Sequence, residues 1–244
     1  MLVFTSYFAN KVIQDKEEIV SISRYSPKWM KDIEEYKALA PSKEILMSYK
    51  DSPDEMKYTI AFNKQLSALD VRATYEELDG KVICCYEKEG DFCHRNIVSK
   101  WFNTNGYLSL PYKKEYFIAV IGSRVYDDYE ELKRELDEIV IPMIKIGISV
   151  TIVSGGARGA DNLAEKYAYE NDLQVLLFPA DWDKHGKSAG YIRNSDIIEK
   201  CDLCVAFWDG ESKGTKHGLN LCVTKQKIAA VFTNESKHIL DARK

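Results

Sequence analysis

Three short stretches of the 244-residue chain carry residue types suited to holding an anion, and each follows an apolar run. The first is Gly122-Ser123-Arg124. The second is Ser154-Gly155-Gly156-Ala157-Arg158-Gly159-Ala160-Asp161, and the third is Asp209-Gly210-Glu211-Ser212-Lys213-Gly214-Thr215. Glycine lets backbone approach a phosphate closely, and a helix opening after Gly159 would turn its unpaired N–H groups and positive dipole end toward one. Arg124 and Arg158 add charge-assisted hydrogen bonds, while Asp161 either caps that helix or accepts from ribose hydroxyls. Tight strand-to-helix turns also use glycine for geometry alone, but three such turns in one half of the chain favour a phosphate-bearing ligand.

A second constellation lies earlier, in Cys84-Cys85-Tyr86-Glu87-Lys88-Glu89-Gly90-Asp91-Phe92-Cys93-His94-Arg95. Gly90 and Asp91 supply turn and cap chemistry, which puts Cys93, His94 and Arg95 in a first helical turn, where the dipole stabilises a thiolate or a bound anion. Three readings stand. A metal would need three or four ligands; Cys84 and Cys85, as strand neighbours, point to opposite faces, leaving Cys93, His94, one of the pair and Glu87. An anion or substrate site would use Ser23, Arg24, Glu87 and Arg95 around a phosphate or base, with Cys93 and His94 as candidate catalytic groups. A capped helix with a buried cysteine is the third. We carry forward the substrate site and expect neither a metal nor a cofactor.

The elements that must position these loops follow from hydrophobic periodicity. In the second half, short apolar runs at 117–121, 150–153, 174–178, 203–208 and 228–232 alternate with helical spacing, as Tyr129, Leu132, Leu136, Ile139 and Met143 show, the pattern of a parallel sheet flanked by helices. Ligands in such sheets sit beyond the carboxyl ends of the strands, where the three loops would converge. The first half reads as strands at 2–5, 19–23, 44–48 and 82–86 with helices at 28–38, 53–69, 74–78 and 94–102. The break at Asn103-Thr104-Asn105-Gly106 and Pro111 places a boundary near residue 112, giving an α/β chain of two domains, 1–112 and 113–244.

Composition bounds the function. With 45% hydrophobic and 30% charged residues the chain has material for ordinary cores. Its net charge of −4 is shared evenly, 15 Lys and Arg against 17 Asp and Glu in residues 1–110 and 19 against 21 thereafter, which disfavours binding to duplex nucleic acid. Neither an apolar run of spanning length nor a signal-peptide pattern occurs, and the six cysteines read as free thiols, so we expect a cytoplasmic protein that makes no use of a membrane. Cys201-Asp202-Leu203-Cys204 enters a strand and reads as core. His185 and His217, Trp182 and Trp208 fall near the expected crevice.

The second half closely resembles the YspA-like branch of the SLOG superfamily, related to the Lonely Guy and DNA-processing protein A families. The resemblance rests on Val120-Ile121-Gly122-Ser123-Arg124, the run Ser154 to Asp161, Phe178-Pro179-Ala180-Asp181-Trp182, Arg193-Asn194 and Gly214-Thr215. It implies a Rossmann-like domain binding nucleotides or nucleotide-derived molecules, Arg193 and Asn194 near the ligand, self-association into homo-oligomers and, in some branches, cleavage of an N-glycosidic bond. Lonely Guy enzymes carry a glutamate where this chain has Gly218, which removes a main source of acceleration unless Asp161, Asp181 or Glu211 substitutes. The first half, with its Cys93-His94-Arg95 stretch and Ser23-Arg24, resembles domain-of-unknown-function family 488. The expected function is thus nucleotide binding, with glycosidic or phosphate-bond hydrolysis by Asp161 and Asp181 as its enzymatic form. A sensor or sequestering protein for a nucleotide signal is the alternative, and a module processing single-stranded nucleic acid the third.

Overall fold

The structure, a computed structural model, describes residues 1–13, 18–233 and 236–243. The chain is a mixed α/β protein that divides into two compact units, Met1–Tyr112 and Lys113–Lys244.

The N-terminal unit runs β1 (Val3–Tyr7), β2 (Ile19–Ser21), β3 (Glu34–Glu35), α1 (Lys43–Asp51), α2 (Glu55–Leu66), α3 (Val71–Glu77), β4 (Val82–Cys85), α4 (His94–Thr104) and β5 (Ser109–Pro111). The strands are all parallel, in the order β3-β2-β4-β1-β5. Central β4 is buried along its whole length, as a strand covered on both faces must be. Edge strand β3 carries only exposed glutamates, which discourages further pairing. Tyr58, Phe62 and Leu66 recur every four residues on α2 and close over Val98 and Phe102 of α4 in one core. His94 lies on that α4 stripe, edge-on to Phe62 at 5.6 Å.

Two expected elements differ. Residues 44–48 are helical, within α1, instead of a strand: the Ser42 hydroxyl caps the backbone N–H of Ile45, and Ile45 and Tyr49 pack on the core one turn apart. Residues 28–38 are not a helix. A turn closes from Met30 N–H to the Pro27 carbonyl, Asp32 takes φ +60, and the chain then pairs as β3, with the Tyr36 N–H donating to Ser21. Strand β5, absent from the sequence reading, is held by side chains: Asn103 accepts from the Ser109 N–H at 2.7 Å and donates to its carbonyl at 3.1 Å, and the Tyr75 hydroxyl donates to Leu108 at 2.6 Å.

The C-terminal unit runs β6 (Glu115–Gly122), α5 (Tyr129–Lys145), β7 (Ser149–Ser154), α6 (Ala160–Glu170), β8 (Gln174–Leu177), α7 (Trp182–His185), α8 (Ala189–Lys200), β9 (Leu203–Phe207), α9 (Lys213–Thr224), β10 (Ile228–Phe232) and β11 (Lys237–Asp241). The sheet order is β11-β10-β9-β6-β7-β8, parallel except for the β10–β11 pair. The chain leaves β6 toward β7 and β8, then returns to the other side of β6 as β9. That reversal opens a crevice beyond the carboxyl ends of β6 and β9. Leu132, Leu136, Ile139, Val140 and Met143 form the buried face of α5, and Cys201, Cys204 and Cys222 are buried in the core around β9. Among the described residues no helix is long and apolar enough to cross a membrane.

Asn103→Ala would remove two buried hydrogen bonds and take the side-chain acceptor from the Ser109 N–H, while the Ser99 hydroxyl still donates to the Ser109 carbonyl, so the N-terminal unit should lose about 1–3 kcal/mol. Amide exchange at Ser109, faster in the variant and unchanged at the centre of β4, is the measurement; equal protection in both proteins would contradict this role for Asn103.

Candidate functional site

The reversal beside β6 brings the three glycine-bearing loops to one cavity of about 550 Å³, lined among others by Gly122, Ser123, Arg124, Ala157, Asp161 and Arg193. A second cavity of about 460 Å³, lined by Gly155, Gly156, Arg158 and Pro179, shares Arg124, Ala157, Trp182 and Arg193 with it. Each volume lies in the range typical of small-molecule sites.

Glycine is required at two of these positions by contact. Gly159 takes φ +80 and ψ −133, a region closed to other residues, and a Cβ there would stand 2.2 Å from the Ser123 carbonyl oxygen. The β6 and β7 loops therefore touch through bare backbone. A Cβ on Gly155 would lie 2.2 Å from Arg193 Nη1, so that glycine makes the seat for the guanidinium.

Arg193, on the second turn of α8, is the electrostatic centre. Its Nη1 donates to the Gly155 carbonyl at 2.8 Å and stands 3.7 Å from Asp161 Oδ2, while its Nε is buried with no hydrogen-bond partner. Asp161 Oδ2 also accepts from the N–H groups of Gly155 at 3.2 Å and Ala157 at 3.3 Å, folding the β7 loop around it. Burial pushes the Asp161 carboxyl above its ordinary range, against the pull of Arg193 and those two N–H groups.

The third loop is ordered by Asp209, which accepts from the N–H groups of Glu211 at 2.9 Å and Ser212 at 2.7 Å; those bonds hold its pKa down. Ser212 caps α9 by accepting from the Thr215 N–H, and Asn194 Nδ2 donates to the Gly214 carbonyl at 3.2 Å, tying α8 to this loop. The N-terminal end of α9 thus faces the crevice together with Arg124, Lys187 and Arg193.

Not every expected residue reaches the crevice. Asp181 is exposed and caps α7 by accepting from the Lys184 N–H, outside both sets of lining residues. Ser154 is buried with its hydroxyl donating to Glu165 at 2.6 Å, and Gly210 turns the third loop at φ +82. A Cβ at Gly218 would meet Ile121 Cδ1 at 2.6 Å. Lys187, Gly190 and Tyr191 line the crevice without having been singled out; only their place just ahead of Arg193, Lys187 in the turn before α8 and the other two on it, could have suggested them. Trp182 lines both cavities, whereas Trp208 Nε1 and His217 Nδ1 are buried without partners.

In the N-terminal unit, Ser23, Arg24, Glu87, Cys93 and His94 line a cavity of about 250 Å³ walled by Tyr25, Tyr49, Tyr58 and Phe92. Arg95 is not among its lining; it turns away, donating to the carbonyls of Glu87 at 2.5 Å and Lys88 at 2.8 Å, and so braces the loop. The thiols of Cys85 and Cys93 each donate to Glu87 Oε2 at 3.0 Å. His94 Nε2 donates to the Ile22 carbonyl at 2.8 Å, which leaves Nδ1 as acceptor, 3.5 Å from Cys85 Sγ. The neighbouring Cys85 thiol, with His94 and Arg95 nearby, pulls the Cys93 thiol below its ordinary value despite burial. Cys84 faces the other way, its thiol donating to Val82. The aromatic wall was not legible from spacing, because periodicity marks a buried face and not the part of it that borders a cavity.

Gly159→Ala would force a disallowed backbone into a backbone contact, so the C-terminal unit should lose more than about 2 kcal/mol; a thermal midpoint equal to the parent's would refute the contact. Asp161 gives a pH signature. Its folded pKa is raised, so its contribution to stability is complete below the unfolded value near 3.8 and is lost as pH rises through the folded value. Asp161→Asn, with its amide oxygen in place of Oδ2, should flatten this segment of the urea-midpoint profile across the acidic range; parallel profiles would show that burial does not dominate.

Comparison with known proteins places both units. Residues 117–185 match the YspA, cpYpsA-related SLOG family, and residues 6–106 match the active DUF488-N3 subclade. The gene 61 protein of Mycobacterium phage D29 is 35% identical over 106 residues, 41% of this chain and 82% of that protein. Among solved structures, DNA processing protein A from Helicobacter pylori, described for its single-stranded DNA binding mode, aligns at 23% identity over 48% of this chain and 64% of its own, with a TM-score of 0.36. That from Streptococcus pneumoniae aligns at 14% identity over 78% and 79%, with a TM-score of 0.38. The present chain spans less than two thirds of the Helicobacter structure. Taken with the loops and strand order described above, these matches show that the chain belongs to the YspA-related SLOG family through its C-terminal unit and to the DUF488 family through its N-terminal unit.

Proposed function

We propose that the C-terminal crevice binds a nucleotide or nucleotide-derived small molecule by its phosphate. The observation that carries this reading is the convergence, at the point where the strand order reverses, of three polar loops on Arg193, whose Nε is buried without a partner. A phosphate oxygen is the acceptor such a guanidinium suits, and Arg124, Lys187 and the α9 N-terminus add positive potential. Trp182 and Tyr191, both on the crevice wall, offer faces on which a base can stack.

Binding without turnover is the form that the carboxylates favour. Asp161 and Asp209 each accept two backbone N–H groups, and Asp161 also faces Arg193. Among the described residues lining the crevice, Glu211 is the carboxylate whose side chain no hydrogen bond or ion pair engages. It is the group on which an N-glycosidic cleavage would depend.

Mass spectrometry of small molecules released from the denatured protein, beside calorimetric titration with nucleoside mono-, di- and triphosphates, tests this. An intact nucleotide-class ligand should appear, and Arg193→Ala should weaken its binding on the order of ten- to hundredfold, the loss of a charge-assisted hydrogen bond. Free base with ribose phosphate, abolished by Glu211→Gln, would make the protein a hydrolase. Failure of every nucleotide to bind the full chain would overturn the reading.

A further inference from the structure

Four side chains of metal-ligating type converge in the N-terminal unit, independently of the nucleotide reading. One ligand atom from each of Cys85, Glu87, Cys93 and His94 lies within 4.8 Å of all the others. We propose that these four residues form a binding site for a zinc-class divalent cation.

The backbone supplies the donors from rigid places. Cys85 ends β4, Glu87 follows two residues later, Cys93 is the N-cap of α4 and His94 its first residue. Three donors thus sit on the ends of regular elements, and Arg95 fixes the loop that carries the fourth by bonding its carbonyls. His94 has the orientation a metal ligand needs: Nε2 donates to the Ile22 carbonyl, so Nδ1 presents its lone pair toward the sulfur cluster.

Distances agree with a tetrahedral centre. Ordinary zinc–sulfur, zinc–nitrogen and zinc–oxygen lengths imply neighbouring donors about 3.6 Å apart. Cys85 Sγ and His94 Nδ1 are 3.5 Å apart. Each sulfur lies 3.0 Å from Glu87 Oε2, so the carboxylate must withdraw by about half an ångström, a small rotation for the one exposed member of the set.

Charge points the same way. Two sulfurs, a carboxylate and an imidazole meet, and the arginine beside them, Arg95, spends its donors on the backbone carbonyls of Glu87 and Lys88. Two thiolates, an imidazole and a carboxylate form a borderline-soft set that suits zinc and not magnesium or calcium. All four residues also line the aromatic-walled cavity of about 250 Å³, so a cation held by them would border that cavity.

The test uses the full chain, kept reduced. Elemental analysis after incubation with zinc and gel filtration should find about one zinc per chain, and cobalt in its place should give thiolate-to-metal charge-transfer absorption with tetrahedral d–d bands. Cys93→Ser and Cys85→Ser should lose that absorption, while Cys84→Ser, whose thiol faces away, keeps it. Glu87→Ala, altering an exposed side chain, should weaken zinc binding about ten- to hundredfold with an unchanged circular dichroism spectrum. Wild-type chain that retains no zinc and shows no cobalt–thiolate band, or a Cys84→Ser variant that loses the band, would overturn the proposal.

Discussion

Parallel strand pairing is the constraint from which both candidate sites follow. A parallel strand can reach its neighbour only by a crossover, so every connection starts at the carboxyl edge of the sheet and returns to the opposite one. In the N-terminal unit β2 and β4 finish flush, Ser21 opposite Cys84, and deliver Ser23, Arg24, Cys85 and Glu87 to one place. In the C-terminal unit β6 and β9 finish with Gly122 opposite Phe207, and their loops separate because the chain winds away in both directions. Chemistry-bearing residues accumulate where backbone groups and helix N-termini are already turned outward. The central strands β4 and β9 are apolar and buried throughout because they are covered on both faces.

Within the crevice, a small network sets the shape of the anion-facing wall. Gly155 gives Arg193 its seat, Arg193 neutralises Asp161, and Asp161 gathers the N–H groups of the same loop. The arginine therefore combines a structural role in the β7 loop with an Nε that has no partner, so loop geometry and the proposed anion binding share one side chain. The N-terminal cluster works differently. Glu87 is the hub, and two thiols reach it from separate elements, so its geometry depends on how β4 and α4 are joined by the core stripe that includes His94.

Much of this was legible from residue order. Loops rich in glycine and hydroxyl residues after apolar runs mark strand ends, and the opposed directions of Cys84 and Cys85 follow from the strand period. Other parts were not. Ile45-Leu46-Met47 reads as a strand until Ser42 is recognised as a cap, and the apparent helix at 28–38 is interrupted by the left-handed Asp32. Strand β5 depends on Asn103 and Tyr75, distant side chains that no local pattern announces. Arg95 looked like an anion ligand from its neighbours; only the folded loop shows that its hydrogen bonds go to carbonyls. Lys187 and Tyr191 reach the crevice because the turn before α8 and the first turns of α8 form part of its wall, a tertiary fact invisible to periodicity.

The contact at Gly218 has a consequence for substitution. A Cβ there would stand 2.6 Å from Ile121 Cδ1, the end of a flexible side chain on the strand that borders the crevice, so a larger residue at 218 requires Ile121 to shift and meets no backbone. Ile121 can accommodate such a residue by changing rotamer, so positions 121 and 218 are coupled through a single methyl group. Substitutions at 121 and 218 are therefore expected to act non-additively.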